Sequence, residues 1–152
     1  MDPDHPTQLR MVSQALAAMP VVQTLGLRCL NLRPGQSEWE MPYSDAFSHA
    51  PGVLQATPVF AMADFAAVSA AATTLPVGGS NATTDTTLKL VAPAQGRLLR
   101  ARGRVISVGR SQTVCASEVY SIDAMGEETL CATLLATATN RMPVAPKPQA
   151  LV

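Results

Sequence analysis

The spacing of apolar residues changes along this chain, and each spacing predicts a different element. From about Thr7 to Met19 the apolar residues recur at a helical period, which predicts a short amphipathic helix closed by Pro20. Two strand-like runs then flank the turn Arg33-Pro34-Gly35-Gln36, where proline followed by glycine favours a tight turn. The first third of the chain is therefore predicted to form a flanking helix and a β-hairpin.

The middle of the chain holds its most apolar segment. A polar loop from Asp45 to Gln55 leads into PVFAMADFAAVSAAA, which is hydrophobic on all sides and so predicts a helix buried in the core. Thr57 is the expected N-cap, with Pro58 at the first helical position. Leu75-Pro76-Val77-Gly78-Gly79 is expected to end the helix.

From Asn81 onward the apolar period becomes two, which predicts β-strands. Four segments show this alternation, and they read TTDTTLKLVA, RLLRARGRVISV, QTVCASEVYSID and ETLCATLLATAT. Their short connections favour an antiparallel meander. Because a single apolar helix needs a sheet that curls around it, the predicted fold class is α+β with two layers.

Length and composition predict one domain that forms an oligomer. The 152 residues divide into a flanking helix at 1–20, a domain at 21–141 and a mobile proline-rich tail at 142–152. Charged residues make up only 14% and hydrophobic residues 47%, so we expect another subunit to cover part of the surface. Basic and acidic residues number 11 each, which argues against nucleic acid or an anionic membrane as a partner.

Cysteine usage and the N-terminal residues predict a cytoplasmic protein. Cys29, Cys115 and Cys131 are odd in number and widely spaced, as expected of reduced thiols. The start MDPDHPTQLRM resembles neither a secretory signal nor a transit peptide. The apolar run from Val53 to Val77 is long enough to cross a bilayer, but it contains Asp64, so it is interpreted as a core helix.

Several classes of chemistry lack the residues that they require. Two histidines and no C-x-x-C spacing argue against a metal site. No G-x-S-x-G, Walker loop or G-x-G-x-x-G occurs, which argues against serine hydrolases and nucleotide folds. Arg100, Arg102 and Arg104 share one strand face, where a solvated or intersubunit surface is favoured over a phosphate site.

Asp64 is the strongest candidate functional residue. It is the only formally charged residue between Asp45 and Asp85, and it lies in the middle of the apolar helix. A carboxylate there loses several kcal/mol of hydration unless something binds or uses it. The alternative is a buried structural acid that hydrogen-bonds a neighbouring Thr or Ser.

The start of the same helix offers an oxyanion site. Its unpaired N–H groups, near Ala56 and Thr57, and the positive end of the helix dipole favour an oxygen that acquires negative charge. Asp64 follows Ala56 by eight residues, or roughly 12 Å along the axis. If both act on one bond, the expected arrangement is a two-fold dimer in which one chain's helix start faces the other chain's Asp64.

The stretch HAPGVLQATPVFAMAD resembles a motif of the hotdog-fold acyl-CoA thioesterases, specifically the phenylacetate-degradation (PaaI-like) branch of the 4-hydroxybenzoyl-CoA thioesterase superfamily. In that motif an Asn is followed three residues later by a Gly, then by His-Gly-Gly, and after six further residues by an Asp. Gly52 and Asp64 match the motif directly. The resemblance covers about Val21 to Asn140. It implies an antiparallel sheet curled around one long central helix, with dimerisation through the sheet.

The resemblance also implies roles for individual residues. Asp64 is the catalytic carboxylate, either a nucleophile or a general base on water, and Ala56 supplies the oxyanion amide. Thr83 matches a hydroxyl that orients the carboxylate or water. The turn Gly109-Arg110-Ser111 lies where relatives hold part of coenzyme A, with Arg110 the candidate phosphate ligand. No metal or redox cofactor is implied, and coenzyme A enters only as part of the substrate.

The chain departs from the family motif around the helix start. His49, Gln55, Ala56 and Thr57 stand where the family has Asn, His, Gly and Gly. Gln55 keeps a side chain that hydrogen-bonds a carbonyl or water, while Ala56 keeps its N–H but adds a methyl group, and Pro58 removes one donor. His49 is open to three interpretations: a substrate-orienting donor, a proton carrier, or plain loop packing.

The predicted function is hydrolysis of an acyl- or aryl-CoA thioester by a homodimer or homotetramer whose active site lies at the subunit interface. One alternative is a non-catalytic hotdog protein that binds acyl-CoA or another apolar ligand. A second alternative, ranked last, is an enoyl-CoA hydratase or dehydratase that uses His49. The sequence leaves the acyl group unspecified.

Overall fold

A computed structural model describes residues 5–144. The elements follow the order α1 (His5–Ala17), α2 (Pro20–Leu25), β1 (Arg28–Arg33), β2 (Gln36–Pro42), a short 3-10 turn (Asp45–Phe47), β3 (Ser48–Ala50), β4 (Val53–Leu54), α3 (Ala56–Ala72), β5 (Ser80–Leu90), β6 (Leu98–Val108), β7 (Gln112–Ile122) and β8 (Glu128–Arg141). Most of the tail predicted to be mobile, 145–152, lies outside the described residues.

The N-terminal region holds two helices where the sequence pattern predicts one. α1 ends at Ala17, and Pro20 opens α2 instead of only closing α1. Proline is tolerated at the first helical position because its missing N–H has no partner there in any case. The prediction that the helix runs to Met19 was therefore wrong at its C-terminal end, and Met19 is the N-cap of α2.

The main sheet has six antiparallel strands in the order β1-β2-β6-β7-β8-β5. The predicted hairpin forms β1 and β2, and Gly35 adopts the positive φ of 71° that its turn requires. The predicted meander is correct for β6 to β8 but wrong for β5. β5 pairs with β8 at the sheet edge, because β2 occupies the side of β6 that a meander would give to β5.

Small residues allow α3 to lie directly against this sheet. Ala63, Ala66 and Ala67 are fully buried, and the Ser117 hydroxyl donates a hydrogen bond to the Ala63 carbonyl at 2.7 Å. A Cβ added to Gly103 on β6 would come within 1.9 Å of the Ala66 carbonyl oxygen. The Ala-rich sequence therefore sets a close helix-to-sheet distance, and the predicted α+β hotdog fold is confirmed.

Ion pairs cover the outer face of the sheet. Arg100 donates to Glu40 at 2.9 Å, and Arg102 donates to Glu128 at 2.7 Å and to Glu38 at 3.2 Å. The Arg100 hydrogen bond holds the pKa of Glu40 below its ordinary value. These acidic partners occupy the guanidinium groups of both arginines, which favours a structural sheet face over a phosphate site.

Two further observations bear on the predicted class of protein. Among residues 5–144, no helix has both the length and the apolar character needed to cross a membrane. Over the same range, no three His, Cys, Asp or Glu side chains come together in a way that would hold a metal ion.

Candidate active site

Asp64 lies half-buried on the face of α3 that looks toward the start of β5. The Thr83 hydroxyl donates a hydrogen bond of 2.8 Å to its Oδ1. Burial raises the pKa of the Asp64 carboxyl, and the Thr83 hydrogen bond opposes part of that rise. Such a carboxylate is a stronger base than one in open solvent, which suits proton abstraction from water.

A cleft of about 190 Å³ opens onto Asp64. Its walls come from α1 and the α1–α2 connection, from α3 and from the start of β5. Among the residues that line it are Leu16, Met19, Phe65, Val68, Asn81 and Thr83. Apart from Asp64 the side chains are mostly apolar, so the carboxylate faces an apolar compartment.

The start of α3 differs in detail from the prediction. Gln55, and not Thr57, is the N-cap, because its extended backbone lets Oε1 accept a hydrogen bond from the Thr57 N–H. The helix begins at Ala56, so Pro58 is its third residue, still inside the first turn where no donor is needed. The Thr57 amide is thus occupied by the chain's own side chain.

The Ala56 amide remains open. Across the described part of the chain, no group accepts a hydrogen bond from its N–H. Ala56 also lines a second cleft of about 580 Å³, together with the exposed residue His49 and the segment that follows β5. The structure therefore places two predicted site residues, His49 and Ala56, in one cleft.

A small hairpin, β3 and β4, shapes the approach to the start of α3. Gly52 lies in its turn with φ of 76°, a conformation that disfavours residues with a side chain. Tyr43 fixes this turn, since its hydroxyl accepts a hydrogen bond from the Gly52 N–H at 3.0 Å and donates one to Asp45 at 2.8 Å. Sequence reasoning missed Tyr43 because a tyrosine in a loop carries no motif.

Asp64 and Ala56 of one chain belong to different clefts. The Asp64 cleft includes Thr83 near the start of β5, whereas the Ala56 cleft includes Leu90 at the end of that strand. Leu90 follows Thr83 by seven positions along the strand, or roughly 23 Å. One subunit therefore does not bring the carboxylate and the open amide to the same bond.

The turn Gly109-Arg110-Ser111 joins β6 to β7 and is exposed. Asn140 holds this turn, because its side-chain amide donates to the Gly109 carbonyl at 2.8 Å and its backbone N–H donates to the Ser111 carbonyl at 2.8 Å. Asn140 is also the register partner of Asn81, which lines the Asp64 cleft. The turn thus lies at the Asp64 end of the sheet, outside that cleft.

The nearby thiol Cys115 is not a competing nucleophile. It is fully buried, and burial together with the Asp64 charge raises its pKa to about 11. A thiol in that state is protonated near neutral pH and reacts slowly. Within the described chain, Asp64 is therefore the candidate for the group that activates water or attacks a carbonyl.

A family model described as the thioesterase superfamily matches residues 54–127. No curated protein matches the sequence. A thioesterase family protein from Silicibacter pomeroyi is 30% identical, with a TM-score of 0.84 and coverage of 91% of this chain and 99% of that chain.

Two other similar solved structures are a phenylacetic acid degradation-related protein and a protein from a phenylacetic acid degradation operon. The phenylacetic acid degradation-related protein, from Ralstonia eutropha, is 30% identical, with a TM-score of 0.72 and coverage of 84% of this chain and 98% of that chain. The PaaI protein from the phenylacetic acid degradation operon of Escherichia coli is 14% identical, with a TM-score of 0.76 and coverage of 89% and 94%. At that identity the E. coli likeness shows the fold alone.

Proposed function

Since this chain belongs to the thioesterase superfamily, we propose that it hydrolyses an acyl-CoA thioester to the free acid and coenzyme A. The observation that carries the proposal is Asp64, a half-buried carboxylate with a raised pKa that faces an apolar cleft. An apolar cleft suits an acyl group, and a basic carboxylate at its wall suits attack on the adjoining carbonyl.

The reaction needs a donor for the carbonyl oxygen, and the proposed donor is the Ala56 N–H of a partner subunit. β5 is an edge strand whose two ends carry the two clefts. Antiparallel pairing of two β5 strands about a two-fold axis near Thr86 and Thr87 would place each Thr83 close to the partner's Leu90. Each Asp64 would then lie near the partner's Ala56, which completes two sites in one homodimer.

In this arrangement Asp64 removes a proton from water while the water oxygen attacks the thioester carbon. The carbonyl oxygen gains negative charge, which the partner's Ala56 N–H and helix dipole stabilise. The carbon–sulfur bond then breaks, and coenzyme A leaves as a thiolate that takes up a proton. Direct attack by Asp64 on the carbonyl carbon is the second form of the same proposal, with water cleaving the anhydride that results.

Coenzyme A is proposed to leave the site past the Gly109-Arg110-Ser111 turn. The exposed Arg110 guanidinium at this end of the sheet would bind a phosphate group of the nucleotide. Arg100 and Arg102 do not compete for this role because acidic side chains already bind them.

The test is a thiol-release assay over a panel of acyl-CoA thioesters with the native protein and Asp64→Asn. We expect a loss of at least about a hundredfold in kcat for Asp64→Asn, because the amide neither accepts the water proton nor attacks the carbonyl. Binding of acyl-CoA should remain, since asparagine keeps an acceptor for the Thr83 hydroxyl. The matched control Glu127→Gln neutralises an exposed acid outside both clefts and should leave kcat unchanged.

A non-catalytic binding protein is the second candidate, and the helix start favours it. Gln55 occupies the Thr57 amide, and the Ala56 methyl group lies where the family has glycine. Tight acyl-CoA binding with no thiol release from any member of the panel would support binding without hydrolysis. Equal turnover by the native protein and Asp64→Asn would reject the proposed mechanism.

A further inference from the structure

The N-terminal helix supplies part of the wall of the Asp64 cleft. Leu16, in the last turn of α1, is half-buried there, and Met19, which follows α1, is 39% exposed. Phe65 and Val68 of α3 form the opposite side. These four side chains present only carbon and sulfur to the space next to the carboxylate.

Gln8 fixes α1 relative to the helix that carries Asp64. Its side-chain amide is 1% exposed; the NH2 group donates to the Ala72 carbonyl at 3.1 Å and to the Gly79 carbonyl at 3.0 Å. Its Oε1 accepts a hydrogen bond from the Gly78 N–H at 3.0 Å. A buried amide with three satisfied bonds holds one geometry, because breaking it strands polar groups away from water.

The distance from the Gln8 anchor to the Asp64 cleft is the same along α1 as along α3. Leu16 follows Gln8 by eight residues on α1, and Asp64 precedes Ala72 by eight residues on α3. Each arm is roughly 12 Å at the helical rise. The anchor at Gln8 therefore sets where Leu16 stands relative to the carboxylate.

We propose that this cleft is the acyl subsite and that α1, through Leu16 and Met19, limits the size of the acyl group. The proposal rests on the proposed thioester hydrolysis and names its substrate class: CoA thioesters of compact apolar acids. Leu16 and Met19 act as specificity-determining residues, because they contact the acyl group and leave the reacting atoms to Asp64.

The volume of the cleft sets the expected size. An engineered apolar cavity of about 150 Å³ in another protein binds benzene, which has six carbon atoms. By that proportion, the 190 Å³ cleft holds an acyl group of roughly eight non-hydrogen atoms. Benzoyl and hexanoyl groups meet this limit, whereas a dodecanoyl chain exceeds it.

The experiment compares kcat/KM for acetyl-, hexanoyl-, benzoyl- and dodecanoyl-CoA in the native protein, Leu16→Ala and Leu16→Trp. The native protein should prefer hexanoyl- or benzoyl-CoA. Leu16→Ala should raise the ratio of dodecanoyl- to hexanoyl-CoA turnover at least roughly tenfold, since one methylene in a fitted pocket is worth about tenfold or more. Leu16→Trp should lower hexanoyl-CoA turnover relative to acetyl-CoA by a similar factor.

Met11→Ala is the matched control, because Met11 is an exposed apolar residue of α1 outside the Asp64 cleft. It should leave all ratios unchanged. Thermal unfolding of each variant verifies that α1 still packs. Unchanged ratios in both Leu16 variants would overturn the proposed subsite. A Leu16 variant that changes the oligomer mass but not the chain-length preference would also overturn it, because this face would then be a contact between copies of the chain.

Acyl-CoA binding to Asp64→Asn, alone and combined with each Leu16 variant, separates this proposal from the proposed function. If the native protein releases no thiol but the binding preference follows Leu16, the hydrolytic function fails and the acyl subsite stands. If thiol release occurs but neither turnover nor binding follows Leu16, the function stands and the acyl subsite fails.

Discussion

Asp64 and Thr83 form a hydrogen-bonded pair in which the Thr83 hydroxyl affects the pKa of the Asp64 carboxyl. Burial among alanines disfavours the charged form of Asp64, while the Thr83 hydrogen bond favours it. The pair spans two elements, so its geometry depends on the packing of α3 against β5. A base held in this way loses activity as pH falls through its pKa, and burial moves that pH upward from the ordinary value of an aspartate.

The pH profile of Thr83→Val tests this pairing. Loss of the hydroxyl removes a bond to the charged carboxylate, so the pKa of Asp64 should rise further. Because the deprotonated form is the active one, the acidic limb of the kcat/KM profile should move to higher pH. Thr83→Ser keeps the hydroxyl and should restore the native limb; a limb that stays in place in Thr83→Val would show that the hydrogen bond does not tune the base.

At the scale of elements, α1 is attached to the domain through its second turn. Its one fully buried polar side chain, Gln8, binds the C-terminal end of α3 and the turn before β5. Val12, one turn further along, is the other buried residue of this helix. Because these are the two buried residues of α1, the anchor at Gln8 should contribute directly to the packing of this helix.

Gln8→Met tests the anchor, because methionine keeps the length of the side chain and removes all three hydrogen bonds. The Gly79 carbonyl and the Gly78 N–H would lose the hydrogen bonds from this side chain, whereas the Ala72 carbonyl keeps the one from the Leu75 N–H. We therefore expect the free energy of unfolding to fall by roughly 1–3 kcal/mol. Urea unfolding measures the change. Gln14→Met, an exposed position on the same helix, should alter stability by less than about 0.5 kcal/mol.

At the scale of the whole molecule, the six-stranded sheet has two edge strands, β1 and β5, of which β5 is the longer. This strand is 11 residues long, pairs on one side only, and exposes Asp85 and Thr87. A long strand edge with free N–H and C=O groups favours pairing with another chain. Such pairing also brings the two separated clefts together, so assembly and catalysis are proposed to depend on the same strand.

Thr87→Asp tests that assembly. In antiparallel two-fold pairing centred near Thr87, the new carboxylate faces its own copy or the partner's Asp85, and both contacts repel. We expect the dimer to dissociate and hydrolysis to fall with it, as followed by sedimentation and thiol release. Thr24→Asp adds the same charge to an exposed residue of α2 that lines neither cleft, and it should change neither measurement. A fully active monomer of the native protein would contradict the shared site.

The sequence by itself determined the fold class, because hydrophobic periods of helix and strand are local properties of the chain. It also pointed to Asp64, since one charge in a long apolar run has to be explained wherever that run packs. The hairpin turn at Pro34-Gly35 was also predictable from the sequence, because the backbone preferences of these two residues favour a tight turn.

Tertiary structure decided what depends on residues far apart in the chain. Pairing of β5 with β8 follows from competition for the edge of β6, which no local pattern records. The helix cap moved from Thr57 to Gln55 because a side-chain conformation, and not a residue type alone, settles which oxygen reaches the N–H. The Gln8 hydrogen bonds and the position of Leu16 in the wall of the Asp64 cleft arise only when α1 packs against α3. Contacts between residues more than forty positions apart in the chain are determined by tertiary packing and not by local propensity.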